Sequence, residues 1–257
     1  MKVTAFVGSA RRKRTYHAVE RFLTCLQSLG NVEYEIVALS DYQLETCIGC
    51  KQCFEKGETF CPWADDRDLL IAKLTDSDGV VFASPNYSFQ VSAFMKIFLD
   101  RIAFIFHRPC FFGKAFTGIV VQGVYGGKKI VDYLDFVGNG LGFNTVTGCC
   151  LSAFEPMSAQ EEQKIDRTLV KQSKRFYKRM AQPAYPVPTL FKLMAFRMSR
   201  TSMKLMLDDS SYDYRYYEEK GWFESDYYYP TQLGAVKKIT GNLFDWISSS
   251  MTKRRDR

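Results

Sequence analysis

Residues 2–16 read Lys2-Val-Thr-Ala-Phe-Val7, then Gly8-Ser-Ala-Arg-Arg-Lys-Arg-Thr-Tyr16. The first six form the short β-branched and aromatic run expected of a strand buried on both faces. Gly8 ends that run. Beyond the arginine-rich loop, Val19, Phe22, Leu23 and Leu26 recur at the i, i+3, i+4, i+7 spacing of an amphipathic helix. A buried strand, a loop and a helix in that order predict a βα unit.

The same unit repeats down the chain. Strands are expected at 32–39, 79–83, 115–121 and 143–149, and helices at 65–74, 91–106, around 129–137 and at 159–180. Strands alternating with helices call for an α/β fold, a doubly wound parallel sheet of five strands covered by helices on both faces. Such sheets bind ligands at the carboxyl ends of their strands, so the loops after the first, third and fourth strands carry the chemistry.

Composition sets outer limits. The 257 residues hold 35 Lys+Arg against 28 Asp+Glu, a net +7, with 46% hydrophobic and 25% charged residues. This is a globular composition and excludes a disordered or fibrous chain. The longest uncharged stretch, 136–154, contains four glycines and two asparagines and does not read as a membrane span. The apolar start at 4–7 is too short for a signal peptide and runs into Arg11–Arg14, so a cytoplasmic protein is expected. The first 180 residues show no basic stripe interleaved with aromatics, and no nucleic-acid partner is expected.

Three prolines within 182–188 mark a boundary, giving an expected main domain at 1–181 and an extension at 182–257. In the extension, 190–207 reads as an amphipathic helix whose Arg197, Arg200 and Lys204 form a basic stripe. A tyrosine-rich stretch follows at 212–229. The expectation is that the helix packs its apolar side on protein and leaves its charges in water, wrapping a neighbouring subunit of a homo-oligomer, a dimer or tetramer. A membrane surface is the lesser alternative.

The three loops have distinct chemistry. Ser9, Arg11, Arg14 and Thr15 bring hydroxyls and guanidinium groups to a helix N-terminus, which suits a phosphate dianion. Neither G-K-[ST] nor G-x-G-x-x-G is present, so a phosphomonoester fits better than a pyrophosphate. Ser84-Pro-Asn-Tyr-Ser-Phe89 is uncharged, and Tyr87 or Phe89 can cover a flat ring while the backbone bonds its edge. In Gln122-Gly-Val-Tyr-Gly-Gly127 the glycines permit close backbone approach. Together these loops describe a mononucleotide with a large flat heterocycle, for which FMN is the natural candidate.

The strings GSARRKRTY, SPNYSFQVSAFMKIFLDR, HRPCFFGK and QGVYGGKK, in this order, resemble the NADPH-dependent FMN reductase family with its flavodoxin-like fold, over roughly residues 1–180. The cysteines make the iron–sulfur flavoprotein branch the nearest resemblance. The resemblance implies that Ser9, Arg11 and Thr15 hold the phosphate. It also implies that Pro85, Asn86, Tyr87, Ser88 and Phe89, with Ser84 before them, frame the isoalloxazine together with Gly123, Tyr125 and Gly126. The family usually ends its phosphate loop in Gly-Asn-Thr or Ser-x-Thr, where this chain has Arg14-Thr15-Tyr16. Thr15 then supplies the hydroxyl, and Tyr16 occupies the neighbouring place.

Cys47, Cys50 and Cys53 are spaced C-x2-C-x2-C, and Cys61 follows after seven intervening residues. That spacing is the ferredoxin-like pattern for a 4Fe–4S cubane, whereas structural zinc prefers two pairs with a longer spacer. The resemblance implies a cluster beside FMN, weighed against free thiols or a redox disulfide. Cys25, Cys149 and Cys150 read as small buried apolar residues, His17 and His107 as structural, and Asp65-Asp66 as a helix cap.

The expected function is an FMN-dependent oxidoreductase, an NAD(P)H-dependent flavin or quinone reductase whose acceptor is a flavin, a quinone or a redox protein. Here the protein binds, orients and tunes its cofactor, so no side chain is assigned as general acid or base. The competing reading is an iron–sulfur flavoprotein that carries electrons between redox partners without small-molecule turnover. A regulatory protein with degenerate flavin binding ranks third.

Overall fold

The structure is a computed structural model that describes residues 1–182 and 184–255, with side chains up to 252. Pro183, the first proline of the expected boundary, lies outside the described residues. Two compact units are present: Met1–Ile48 with Trp63–Ala184, and Gly49–Pro62 with Tyr185–Arg257.

In the first unit the elements run β1 (Lys2–Val7), α1 (Arg14–Gln27) and β2 (Glu33–Ala38). The short α2 (Gln52–Glu55) belongs to the second unit. The first unit resumes with α3 (Arg67–Thr75), β3 (Gly79–Pro85), α4 (Ala93–Arg101), β4 (Ala115–Gln122) and α5 (Gly127–Gly140). It ends with β5 (Asn144–Thr145), β6 (Cys149–Ser152) and α6 (Ala159–Met180). The strand order is β2-β1-β3-β4-β5, with β6 also pairing β4, and every pairing is parallel.

Alternate residues of each strand face opposite layers. Val3, Ala5, Val7, Val81, Ala83 and Ile119 meet Phe22, Leu23 and Leu26 of α1 and Leu169 and Phe176 of α6. On the other side Phe6 stacks on Phe98 at 5.2 Å, and Phe82 meets Phe116 edge-on at 5.0 Å. Burial on both faces explains the uninterrupted apolar runs.

Two elements differ from their sequence reading. The helix expected at 91–106 stops at Arg101 and continues as a 3-10 turn over Ala103–Phe106. The fifth strand is broken between β5 and β6. There the Gly148 N–H donates to Asp135 Oδ1 at 3.0 Å and the Thr147 carbonyl accepts from Gln172 Nε2 at 2.8 Å. Side chains of α5 and α6 thus take the backbone groups that a continuous ladder would use.

The second unit contains α7 (Leu190–Met206), α8 (Tyr212–Glu219) and α9 (Ala235–Arg255). Lys237 donates to the Pro188 carbonyl, Arg197 to Asp245, and Ser202 bonds Ser248, each at 2.8 Å, so α7 and α9 run side by side in the same direction. Arg200 also reaches Asp245 and the Ser225 carbonyl, both at 2.6 Å, and Arg197 pairs with Asp226. This corrects the expectation of a water-facing basic stripe: Arg197 and Arg200 are buried and paired, while Leu190, Phe191, Leu205 and Met206 are exposed. The tyrosine-rich stretch forms its own core. Tyr217 lies 4.9 Å from Trp222, and Trp222 lies 4.7 Å from Tyr228.

The buried aromatic cluster predicts alkaline lability. Burial pushes the Tyr228 hydroxyl up to about 12, only partly offset by its bond to Tyr217. In the first unit, burial pushes the Cys149 thiol up to about 12. These groups stay protonated in the folded chain while the unfolded chain releases their protons. Their contribution is full below the unfolded values, near pH 9–10, and is lost as pH rises toward 12, at most about 1.4 kcal/mol per pH unit and group. Urea midpoints measured from pH 8 to 11 should fall on the alkaline side, and a flat profile would contradict the burial.

Candidate functional site

The loops after β1, β3 and β4 lie side by side because β1 pairs β3 through Val7–Ala83 and β3 pairs β4 through Pro85–Val121. Two backbone bonds lock them together. The Gly8 N–H donates to the Ala83 carbonyl and the Asn86 N–H to the Val121 carbonyl, both at 2.8 Å.

In the first loop the Arg11 carbonyl accepts from Ser9 Oγ and from the Lys13 N–H, both at 2.8 Å. This curls the chain into α1. The helix has no side-chain cap and no acid in its first turn, in contrast to α6 with its Ser158–Glu161 capping box. Its leading N–H groups therefore keep their full capacity for an anion. Arg12 pairs with Asp41 at 3.1 Å and Arg14 with Glu155 at 2.9 Å. Arg11 is exposed and, among the described residues, has no ion-pair partner. Thr15 is buried at the helix start. Tyr16 packs against the α1–α6 core, with the Arg12 guanidinium 5.6 Å from its ring centre. Of the two arginines expected to meet a phosphate, Arg11 is available and Arg14 is engaged.

In the second loop Tyr87 and Gln90 exchange backbone bonds of 3.1 and 3.0 Å around Ser88 and Phe89. Ser88 has φ +50° and Phe89 φ +63°. Two successive left-handed residues make the tight hairpin turn that usually takes Asn-Gly, and each costs about 1–2 kcal/mol here. That strain holds the Phe89 ring over the third loop, 5.3 Å from Tyr125. Gly126 has φ +93°, and a Cβ there would lie 2.5 Å from the Phe89 ring, so only glycine fits. Asn86 Nδ2 donates to the Tyr125 carbonyl at 2.9 Å, whereas its buried Oδ1 has no hydrogen-bond partner. A buried acceptor without a donor is costly, and a ligand N–H would relieve it. Ser84 is buried, its Oγ accepting from the Ser92 N–H at 2.9 Å, which sets the start of α4. Gly123 begins the glycine loop, near Phe154.

Sequence reading missed the partners that hold these loops. Gln122 Oε1 accepts from the Gly127 N–H at 2.7 Å and its Nε2 donates to Ser152 at 3.0 Å, fixing the glycine loop from behind. A long amide just before the glycines was the available signal. Glu155, the partner of Arg14, gave none.

The cysteines are placed differently. Cys47 is exposed in the first unit; Cys50, exposed, and Cys53 and Cys61, half-buried, belong to the second. Among the described residues no three His, Cys, Asp or Glu side chains form a group that could hold a metal ion. In the second unit Gly57, at φ +113°, lies under the Tyr212 ring, whose nearest atoms are 3.2 Å from where a Cβ would stand.

The base of this loop is clasped within the first unit. Asp65 accepts from the Glu45 N–H at 2.9 Å, Asp66 from the Gln43 N–H at 2.8 Å, and Trp63 Nε1 donates to the Thr46 carbonyl at 3.1 Å. Arg101 from α4 pairs with Asp65 and also donates to the Glu45 carbonyl at 2.9 Å. Burial pushes the Asp65 carboxyl up, but the Arg101 bond and the N–H groups of Glu45 and Arg67 outweigh it and hold the group below its ordinary value.

The strand order defines a flavodoxin-like α/β protein whose loops after β1, β3 and β4 adjoin one another. The family model for NADPH-dependent FMN reductase matches residues 1–155, and the chain belongs to that family, in its iron–sulfur flavoprotein branch. An iron-sulfur flavoprotein of Archaeoglobus fulgidus is 34% identical over 161 residues, covering 58% of this chain and 71% of its own length. One from Methanocaldococcus jannaschii is 38% identical over 102 residues, covering 39% of this chain and 51% of its own length, so the chain spans about half of that relative. Among solved structures, the NAD(P)H:quinone oxidoreductase from Methanothermobacter marburgensis superposes with TM-score 0.52 at 16% identity, over 72% of this chain and 99% of its own. RosB, solved with 8-demethyl-8-formylriboflavin-5'-phosphate, gives TM-score 0.54 at 14% identity over 91% of this chain and 92% of its own. At such identities these two bear on the fold alone. No helix among the described residues is long and apolar enough to cross a membrane.

Proposed function

We propose that the chain is an FMN-dependent oxidoreductase that draws reducing equivalents from NAD(P)H and passes them to a flavin, a quinone or a redox protein. The observation that carries this reading is the buried, unpartnered Oδ1 of Asn86 in the loop after β3, the strand that pairs with β1, whose own loop leads past Arg11 into the uncapped α1. A flavin ring offers the N–H that Asn86 lacks, and its phosphate suits the helix end, so the residues present fit FMN. Bound FMN supplies the hydride and electron chemistry.

The chain's own residues bind and orient. Arg11 provides the countercharge, and Thr15 and the first N–H groups of α1 provide donors, with Ser9, Arg14 and Tyr16 alongside. Ser84, Pro85 and Asn86 line the ring edge; Tyr87, Ser88 and Phe89 form one wall and Gly123, Tyr125 and Gly126 the other. Phe89 and Tyr125, both exposed when no ring separates them from water, gain burial by covering a flat ligand. A homo-oligomer, dimer or tetramer, completes the proposal.

The test is direct. Purified protein should show a flavin spectrum, and NADH or NADPH should be oxidised steadily when free FMN or a quinone is added. Protein that binds no FMN and oxidises neither nucleotide refutes the reading.

The C-x2-C-x2-C spacing favours a second reading in which a 4Fe–4S cluster accompanies FMN and the protein relays electrons. Anaerobic reconstitution followed by iron and sulfide analysis decides this point: stoichiometric zinc, or no metal, leaves a simple flavin reductase.

A further inference from the structure

We infer that α9 docks this protein on an anionic phospholipid surface. One row of its exposed residues is apolar at 3-4-3 spacing: Val236 is 73% exposed, Ile239 70%, Leu243 49% and Trp246 67%, with Met251 a little beyond at 58%. No other described helix leaves so long an apolar row in water. The sequence reading weighed a membrane only for 190–207, whose arginines turn inward onto α9. The free face is therefore on the partner helix.

Charge decides what covers it. Lys238 is exposed near the start of α9, and the sequence of its last turn reads Lys253-Arg254-Arg255. Its single acid, Asp245, is bonded inward to Arg197 and Arg200. A second copy laid along this face, parallel or antiparallel, sets like charge against like charge, and no carboxylate among the described residues of α9 faces outward to answer it. An anionic bilayer answers both features. Apolar side chains enter the headgroup–acyl boundary, tryptophan sits well at that depth, and lysines and arginines meet phosphates. This binding is peripheral and independent of the flavin reading.

The experiment is co-sedimentation of the full chain with phosphatidylcholine vesicles, with and without phosphatidylserine. Binding is expected only with phosphatidylserine and should weaken as salt rises. Trp246→Glu and Ile239→Glu should each reduce it by about tenfold or more, with helix content and solution mass unchanged. Their side chains point to water, so the fold should tolerate both changes; circular dichroism checks this. Absence of binding to phosphatidylserine vesicles overturns the proposal. So does a fall in solution mass for Trp246→Glu, which would make this face an interface between copies. Flavin content measured on the same samples tests the oxidoreductase reading separately.

Discussion

Asp65→Asn should lower the folding stability of the chain by about 3–5 kcal/mol. The side chain of Asp65 is 5% exposed and that of its partner Arg101 2%, so the substitution leaves a guanidinium charge buried without its counterion. It also weakens the acceptor for the Glu45 N–H and frees the base of the cysteine loop. Urea unfolding followed by circular dichroism measures the loss. Asp132→Asn is the control, since its pair with Lys128 is exposed and should be worth less than about 1 kcal/mol. Equal midpoints for the two variants would refute the clasp. Because the Asp65 carboxyl is held below its ordinary value, its contribution is present above the unfolded carboxylate range and is lost as pH falls through the lowered folded value. Acid unfolding of the wild type should therefore include this term, and Asp65→Asn should lack it.

Arg11→Glu should weaken FMN binding by roughly 100-fold, the loss of one charge-assisted bond plus the repulsion of a carboxylate facing a phosphate. Fluorescence titration of free FMN reads the change. Riboflavin, which has no phosphate, should bind both proteins alike. Arg12→Ala, whose guanidinium is held by Asp41, should change affinity only a few-fold. If Arg11→Glu binds FMN as the wild type does, the phosphate lies elsewhere.

The strands and the loops between them were legible because burial on both faces writes itself as uninterrupted apolar runs, as at residues 79–85. Breaks caused by distant side chains were not. Nothing near Gly148 announces that Asp135 and Gln172 will take its neighbourhood's backbone groups. Likewise a stripe of Arg197, Arg200 and Lys204 looks solvated until Asp226 and Asp245 arrive from later in the chain. In the proposed site, strand order was enough to bring the loops after β1, β3 and β4 side by side. The state of each side chain was not: Arg14 is taken by Glu155 across more than a hundred residues. The cysteine spacing told nothing of position, since the chain divides between Ile48 and Gly49, after Cys47 and before the other three.

The interruption between β5 and β6 has a consequence for how the protein survives at high concentration. An uninterrupted outer strand offers a row of unpaired N–H and C=O groups on which another chain can extend the sheet. Here that row lasts two residues, stops where Asp135 binds the backbone, and resumes for four. The opposite border, β2, carries Glu33 and Glu35 along its six residues. One border is too discontinuous and the other too charged to template a neighbour, so the sheet is guarded against edge-to-edge aggregation. Replacing Asp135 with an apolar residue would remove that guard from the broken side.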